Sequence, residues 1–137
     1  MTVADIIALM EAVAPPATAE SWDNVGLQVG NAAQETAGCL LTLDVGLETL
    51  REAKQCGAGL IVAHHPVIFR PLRAVTEGQP AGSVILAAAR AGLSIYVAHT
   101  NLDAAPDIGT AAALAEHLGL GSGPSLAPPE EIGRAHV

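Results

Sequence analysis

The chain has 137 residues, the length of one domain. Half of the residues (50%) are hydrophobic, but only one Trp, one Tyr and one Phe are present. We therefore expect a core of small aliphatic side chains. The formal net charge of −8, with six Lys and Arg residues, argues against a nucleic-acid partner. The apolar runs are shorter than the ~20 residues of a membrane span, and the start of the chain lacks a basic leader segment. The two cysteines are interpreted as reduced thiols. Together these features predict a cytoplasmic protein without a membrane partner.

The apolar periodicity predicts the elements in chain order. Thr2 and Asp5 form a capping pair for a helix that stops before Pro15 and Pro16. Residues 21–30 read as a loop that leads into a short strand. After residue 38, strands predicted at 38–45, 60–65 and 93–99 alternate with helices at 47–57, 81–92 and 108–119. This alternation predicts an α/β fold with parallel strands and helices packed on the sheet.

Periodicity is lost near the end of the chain. We expect an α/β metal-binding domain over residues 1–120 and an irregular tail over 121–137. The last seven residues, EIGRAHV at 131–137, resemble a translated sequencing adapter, and we interpret them as a sequencing artefact that cut the reading frame. Arg134 and His136 are therefore expected to carry no function.

Polar side chains of the kinds that bind metals fall where the predicted strands end. The residues are Asp44 after the first strand of the alternating series, His64 and His65 at the end of the second, and His99, Asn101 and Asp103 after the third. Since the carboxyl ends of parallel strands meet at one edge of the sheet, where ligands of open α/β sheets bind, we expect these side chains to lie together.

The pair His64–His65 can serve one site only if the backbone turns, because successive residues of a straight strand face opposite ways. Pro66 favours such a turn. Two imidazoles and the carboxylate of Asp103 suit zinc, iron or manganese, and adjacent histidines can also serve two neighbouring ions.

Simpler interpretations stay open for several polar residues. A histidine pair alone is more often plain polar surface than a metal site. Asp44 reads better as a structural cap or a group behind a ligand than as a ligand. Asp23 and Asn24 are typical of an Asx turn, and His117 is predicted to face solvent from a helix.

Three segments together resemble the NIF-three-like dinuclear-metal-centre family, whose members are known as GTP cyclohydrolase 1 type 2 homologues. The segments are SWDNVGLQVG at 21–30, LIVAHHPVIFRPL at 60–72 and YVAHTNLDAAPDIG at 96–109. The resemblance covers nearly all of residues 1–120. It implies the N-terminal half of a three-layer α/β sandwich with a mostly parallel sheet, in subunits that form a homohexameric ring.

The resemblance also implies two divalent metal ions per subunit in a cleft between two halves. Positions matching the family's ligands are His64, His65 and Asp103, while His99 and Asn101 fall in the same active-site loop. The family signature in the first segment is matched by Trp22, Asp23, Asn24 and Gly26. The remaining family ligands, a His and a Glu spaced H-x-x-x-E, have no counterpart here, so we expect this chain to be a truncated fragment that binds metal incompletely. The local deviations at Asp107 and Thr110 are not interpreted as loss of function.

The resemblance favours a metal-dependent hydrolase in which the ions polarise a substrate oxygen and make water more acidic. His99 would move a proton, since imidazole titrates near neutral pH, and Asn101 would orient substrate. The substrate is expected to be a small molecule, and the activity that the family is named for implies a purine nucleotide. The alternative is a metal-binding scaffold or regulatory ring without turnover.

Overall fold

The structure is a computed structural model that describes residues 1–121 and 123. The predicted tail at 121–137, including the adapter-like residues, thus lies almost wholly outside the described residues. The helices are α1 (Val3–Val13), α2 (Leu47–Gln55), α3 (Pro80–Ala91), α4 (Thr100–Asp103) and α5 (Thr110–His117), with a short 3-10 helix at Pro16–Thr18. The strands are β1 (Gly26–Val29), β2 (Cys39–Thr42), β3 (Leu60–Ala63) and β4 (Ser94–Val97).

The four strands form one sheet in the order β1-β4-β3-β2. β2, β3 and β4 are parallel neighbours, whereas β1 pairs antiparallel with β4 at the edge. The predicted α/β fold with a mostly parallel sheet is confirmed, and its carboxyl-terminal edge is formed by the ends of β2, β3 and β4.

Two apolar clusters cover the two faces of this sheet. On one face, Ile61 and Ile95 pack in a cluster with residues of α2 and α3. On the other, Leu60, Val62 and Tyr96 pack against α1. Neighbouring residues of β3 enter different clusters because side chains alternate along a strand, so β3 is buried at every position. Helix, sheet and helix give the three layers that the family resemblance implies.

The predicted start of α1 is confirmed as a capping box. The Thr2 hydroxyl accepts from the Asp5 N–H, and the Asp5 carboxylate accepts from the Thr2 N–H. The backbone and hydroxyl hydrogen bonds from Thr2 lower the pKa of Asp5 below its ordinary value. At the far end, the helix stops at Val13, just before the two prolines.

Among the described residues, no helix is both long and apolar enough to cross a membrane. Cys39 and Cys56 are free and exposed.

Candidate metal centre

Three histidines meet at the carboxyl-terminal edge of the sheet. His64 and His65 follow β3, and His99 follows β4. One ring nitrogen from each lies within 4.8 Å of the other two. The ring centroids are 5.0 Å apart for His64 and His65, and 5.1 Å apart for His64 and His99. The parallel pairing of β3 with β4 thus brings together side chains that are more than thirty residues apart in sequence.

The backbone bends at His64–His65, as the sequence pattern predicts. The N–H of His64 donates to the carbonyl of Thr42 at 3.1 Å, and the N–H of His65 donates to the carbonyl of Leu43 at 2.8 Å. In a regular strand only alternate N–H groups point to the same neighbour, so two consecutive bonds toward the end of β2 mark a departure from the pleat. The bend lets both imidazoles reach one pocket.

Each of the three imidazoles places its Nδ1 beside an oxygen. His64 Nδ1 lies 3.1 Å from the Ala98 carbonyl, His65 Nδ1 lies 2.9 Å from Asp44 Oδ1, and His99 Nδ1 lies 2.9 Å from Asp23 Oδ1. A carbonyl or carboxylate oxygen only accepts, so Nδ1 is the protonated nitrogen in each neutral ring. The three Nε2 lone pairs are left for another partner. This pattern, with an oxygen behind every imidazole, is usual for metal-ligating histidines.

Of the two carboxylates that accept from these imidazoles, that of Asp23 is the more deeply buried, with a side chain 0% exposed. It also accepts from the Thr100 hydroxyl at 2.5 Å, the Thr100 N–H at 3.1 Å and the Asn24 N–H at 2.8 Å. Burial raises the pKa of Asp23, but the hydrogen bonds from His99, Thr100 and Asn24 outweigh it and hold the pKa below its ordinary value. Asp23 therefore remains a carboxylate that fixes the His99 ring.

Asp44 takes the same position behind His65, but in a far more exposed setting. Its backbone carbonyl accepts from the hydroxyls of Thr42 and Thr49, which fixes the turn between β2 and α2. The interpretation of Asp44 as a group behind a ligand agrees with this contact.

Asp103 lies at the end of α4, beside the cluster. Its Oδ1 is 3.8 Å from His64 Nε2 and accepts from the Thr110 hydroxyl at 2.8 Å. Asp103 is thus near one histidine, but it does not belong to the group of His64, His65 and His99, whose ring nitrogens lie within 4.8 Å of one another. Its role as a ligand stays a prediction.

Asn101 is buried beneath the loop, with a relative exposure of 0%. Its Nδ2 donates to the Ala14 carbonyl at 2.7 Å, and its Oδ1 accepts from the His99 N–H at 2.9 Å. Both ends of the amide are therefore engaged by backbone. The role in orienting substrate stays a prediction, while the contacts show Asn101 fixing the backbone of His99.

The donor set fits a borderline divalent ion. Three neutral imidazoles with a carboxylate nearby match the ligands that zinc and iron take in proteins. His65 is half exposed, with 50% of its side chain accessible, so the cluster opens to solvent.

A sequence model of the Duf34/NIF3 (NGG1p interacting factor 3) family matches residues 1–136. The chain belongs to this family. It is 44% identical over 103 residues to a GTP cyclohydrolase 1 type 2 homolog of Lactococcus lactis, covering 75% of this chain and 40% of that protein. A protein of the same name from Bacillus subtilis is 42% identical over 123 residues, covering 90% of this chain and 33% of that protein.

A solved structure described as a Bacillus cereus protein related to NIF3 matches with a TM-score of 0.86 and 40% identity. The match covers 93% of this chain and 35% of that one. The Duf34/NIF3 chain described here thus spans less than half the length of these relatives. The recognised family and its α/β fold are confirmed.

Sequence reasoning missed the pairing of Asp23 with His99. The two residues are 76 positions apart, and an Asx turn explained Asp23 locally. Locally, Asp23 accepts from the N–H of the next residue, Asn24, whereas an Asx turn uses the N–H two residues on, and the same carboxylate has a second, long-range use. The one available signal was the place of Asp23 inside the family signature at 21–30.

Proposed function

We propose that this chain supplies the N-terminal part of a divalent-metal centre in a metal-dependent hydrolase. The proposal depends on one observation above all: three imidazoles bring one ring nitrogen each within 4.8 Å of the other two, and each ring has an oxygen at Nδ1, which leaves Nε2 as the nitrogen that can bind a metal ion. Histidines that lie on the surface or in the core without binding a ligand are not expected to share this arrangement.

His64, His65 and Asp103 are the proposed metal ligands. His64 and His65 come from the bend after β3, and Asp103 approaches from α4 within 3.8 Å of His64 Nε2. When bound, divalent ions supply Lewis-acid chemistry, since they polarise a substrate oxygen and make water more acidic. Two ions, of zinc, iron or manganese, are part of the proposal because of the family resemblance.

His99 is the proposed proton acceptor. Its Nδ1–H is held by the buried Asp23 carboxylate, so Nε2 faces the pocket as the basic nitrogen. An imidazole held in this tautomer can take a proton from water or substrate and return it to a leaving group. Asp23 stabilises the ring orientation and the positive charge that the proton brings.

Hydrolysis of a purine nucleotide, a homohexamer and a cytoplasmic location are finer parts of this proposal. They come from the resemblance and, for the nucleotide, from the name that the relatives carry. A metal-binding scaffold without turnover is the alternative. Exposure of His65 to solvent favours the hydrolase, because a catalytic site keeps a position open to water or substrate.

Formate release from a purine nucleoside triphosphate, measured with zinc or manganese added to the 137-residue chain, tests the hydrolase. We expect slow release that stops on chelation and in His99→Gln, while His117→Gln, which alters an exposed histidine of α5, behaves as wild type. Metal bound at His64 and His65 without any metal-dependent release would contradict the hydrolase and support the scaffold.

A further inference from the structure

Aromatic residues are rare in this chain, and two of them lie side by side at the surface. The sequence contains one Trp, one Phe and one Tyr. Tyr96 is fully buried in the core, whereas Trp22 is 58% and Phe69 is 44% exposed. The rings of Trp22 and Phe69 meet edge to face with their centroids 6.0 Å apart. An aliphatic protein that places two of its three aromatics in water is not using them to build its core.

This pair, called the aromatic rim below, adjoins the histidine cluster. The Trp22 ring centroid is 6.4 Å from that of His99, again edge to face. Trp22 directly precedes Asp23, the carboxylate that holds His99. Phe69 belongs to the loop that follows His65. The rim therefore lies next to the histidine cluster, and the separation of Trp22 from His99 falls within the 4.5–7 Å range of aromatic pairs.

Hydrogen bonds join the two segments that carry the aromatic rim, although the rim itself is exposed. The loops that carry Trp22 and Phe69 are joined at Ile68, whose N–H donates to Gln28 Oε1 at 2.8 Å. The carbonyl of Ile68 accepts from the side-chain amides of Asn24 and Gln28. Because these hydrogen bonds already join the segments that carry the two aromatic residues, a ligand that contacts the rim need not order two free loops.

We propose that the aromatic rim binds the planar aromatic ring of a small molecule that bears an anionic oxygen directed at the histidine cluster. The inference rests on the proposed function, because the oxygen is received by the metal centre. It goes further in naming Trp22 and Phe69 as specificity-determining residues and planarity as the property they select. Ligand sites commonly combine an aromatic wall with a few convergent polar groups, as this edge of the sheet does.

The test compares benzoate with cyclohexanecarboxylate, two carboxylates of similar size of which only one is flat. Both can offer an oxygen to the zinc-loaded chain, so the ratio of their dissociation constants isolates the ring. Trp22 is the only tryptophan, and its fluorescence reports directly on the rim. Ligand-observed NMR supplies the same constants for variants that lack it.

We expect benzoate to bind about 2- to 12-fold tighter than cyclohexanecarboxylate, the ratio that an aromatic pair provides. Benzoate should also change Trp22 fluorescence. The preference should vanish in Trp22→Leu and shrink in Phe69→Leu, with zinc content unchanged, while Leu41→Ala, an exposed apolar position of β2, keeps it.

Equal binding of the two carboxylates by the wild-type chain overturns the inference without any variant having to fold, and so does a preference that survives Trp22→Leu. Either result would mean that the aromatic rim does not select planar ligands and would favour a contact with another protein surface. Absence of zinc from the wild-type chain would instead count against the proposed function, so the two failures are distinguishable.

Discussion

His99 Nδ1 and Asp23 Oδ1 lie 2.9 Å apart across 76 residues of chain, with the carboxylate fully buried. This contact ties the loop before β1 to the loop after β4. It determines which nitrogen of His99 faces the pocket, and it makes Asp23 a positioning residue for whatever chemistry His99 performs.

Asp23→Asn should reverse the tautomer of His99. Thr100 supplies two donors, its hydroxyl and its N–H, to Asp23 Oδ2. Oδ1 also faces two donors, His99 and the Asn24 N–H, and of these the imidazole can move its proton to its other nitrogen. We therefore expect the amide oxygen of the substituted residue to face Thr100, with its NH₂ facing Nδ1 of His99 and the ring proton on Nε2. Long-range ¹H–¹⁵N NMR of the histidine rings reads this change, and we expect metal-dependent hydrolysis to fall by about 10- to 100-fold because His99 is the proposed proton acceptor.

Asp44→Asn is the matched control for that experiment. Asp44 holds His65 Nδ1 at the same 2.9 Å, but its side chain is 80% exposed. Water replaces an exposed partner readily, so this substitution should reduce metal-dependent hydrolysis less than Asp23→Asn does. An unchanged His99 tautomer in Asp23→Asn, or an equal effect of both substitutions, would contradict the assigned role of Asp23.

Asn101→Ala should destabilise the fold by about 1–3 kcal/mol, because it leaves the Ala14 carbonyl and the His99 N–H without partners in a buried place. Asn101→Asp keeps the acceptor but loses the donor and buries a charge, so it should cost more. Urea unfolding measures both. Unaltered stability in Asn101→Ala would contradict this structural role and would favour the predicted role of the Asn101 side chain in orienting substrate.

Gly30→Ala should destabilise more than Gly26→Ala, although both glycines have φ near +100°. At Gly30, φ is 107° and an added Cβ would lie 2.6 Å from Ser94 Cα, a backbone atom of β4. At Gly26, φ is 99° and nothing lies within 4 Å. Conformational strain alone costs about 1–3 kcal/mol, and the clash at Gly30 adds to it. Equal unfolding temperatures for the two variants would contradict this ranking and would mean that the backbone of β4 shifts at Ser94 to relieve the clash.

The capping box of α1 should make the free energy of unfolding depend on pH in the acid range. The folded pKa of Asp5 is lowered by its bonds from Thr2, so its contribution is present above the unfolded value of 3.8 and is lost as pH falls through the folded value. The stability difference between wild type and Asp5→Ala should therefore be constant near neutral pH and disappear in strong acid. Thr2→Ala should cost about 1 kcal/mol at pH 7. A difference that persists below the folded pKa would refute this origin.

The fold was largely predictable because its long elements carry strong patterns. The alternation after residue 38 predicts β2, α2, β3, α3, β4 and α5, with ends within a few residues. The predicted strands run too far, to residues 45, 65 and 99, because each chain segment leaves the sheet there to form the site. The four-residue α4 and the 3-10 helix at Pro16–Thr18 are too short to show periodicity, and the antiparallel pairing of β1 has no local signal.

The site was predictable where strand ends and residue type coincide. His64, His65 and His99 follow from that rule, since parallel pairing carries strand ends to one edge. The oxygens behind them do not follow from it, because Asp23 and the Ala98 carbonyl reach the rings through tertiary packing. A sequence shows the imidazoles but not which nitrogen each one offers.

Metal content after equilibrium dialysis against zinc tests the central claim most directly. We expect the wild-type 137-residue chain to bind zinc, and His64→Ala and His65→Ala to lose most of it while their circular dichroism stays native. His117→Ala, at the exposed end of α5, should bind as wild type does. Equal zinc in the wild type and both cluster variants would contradict a metal centre at the edge of this sheet.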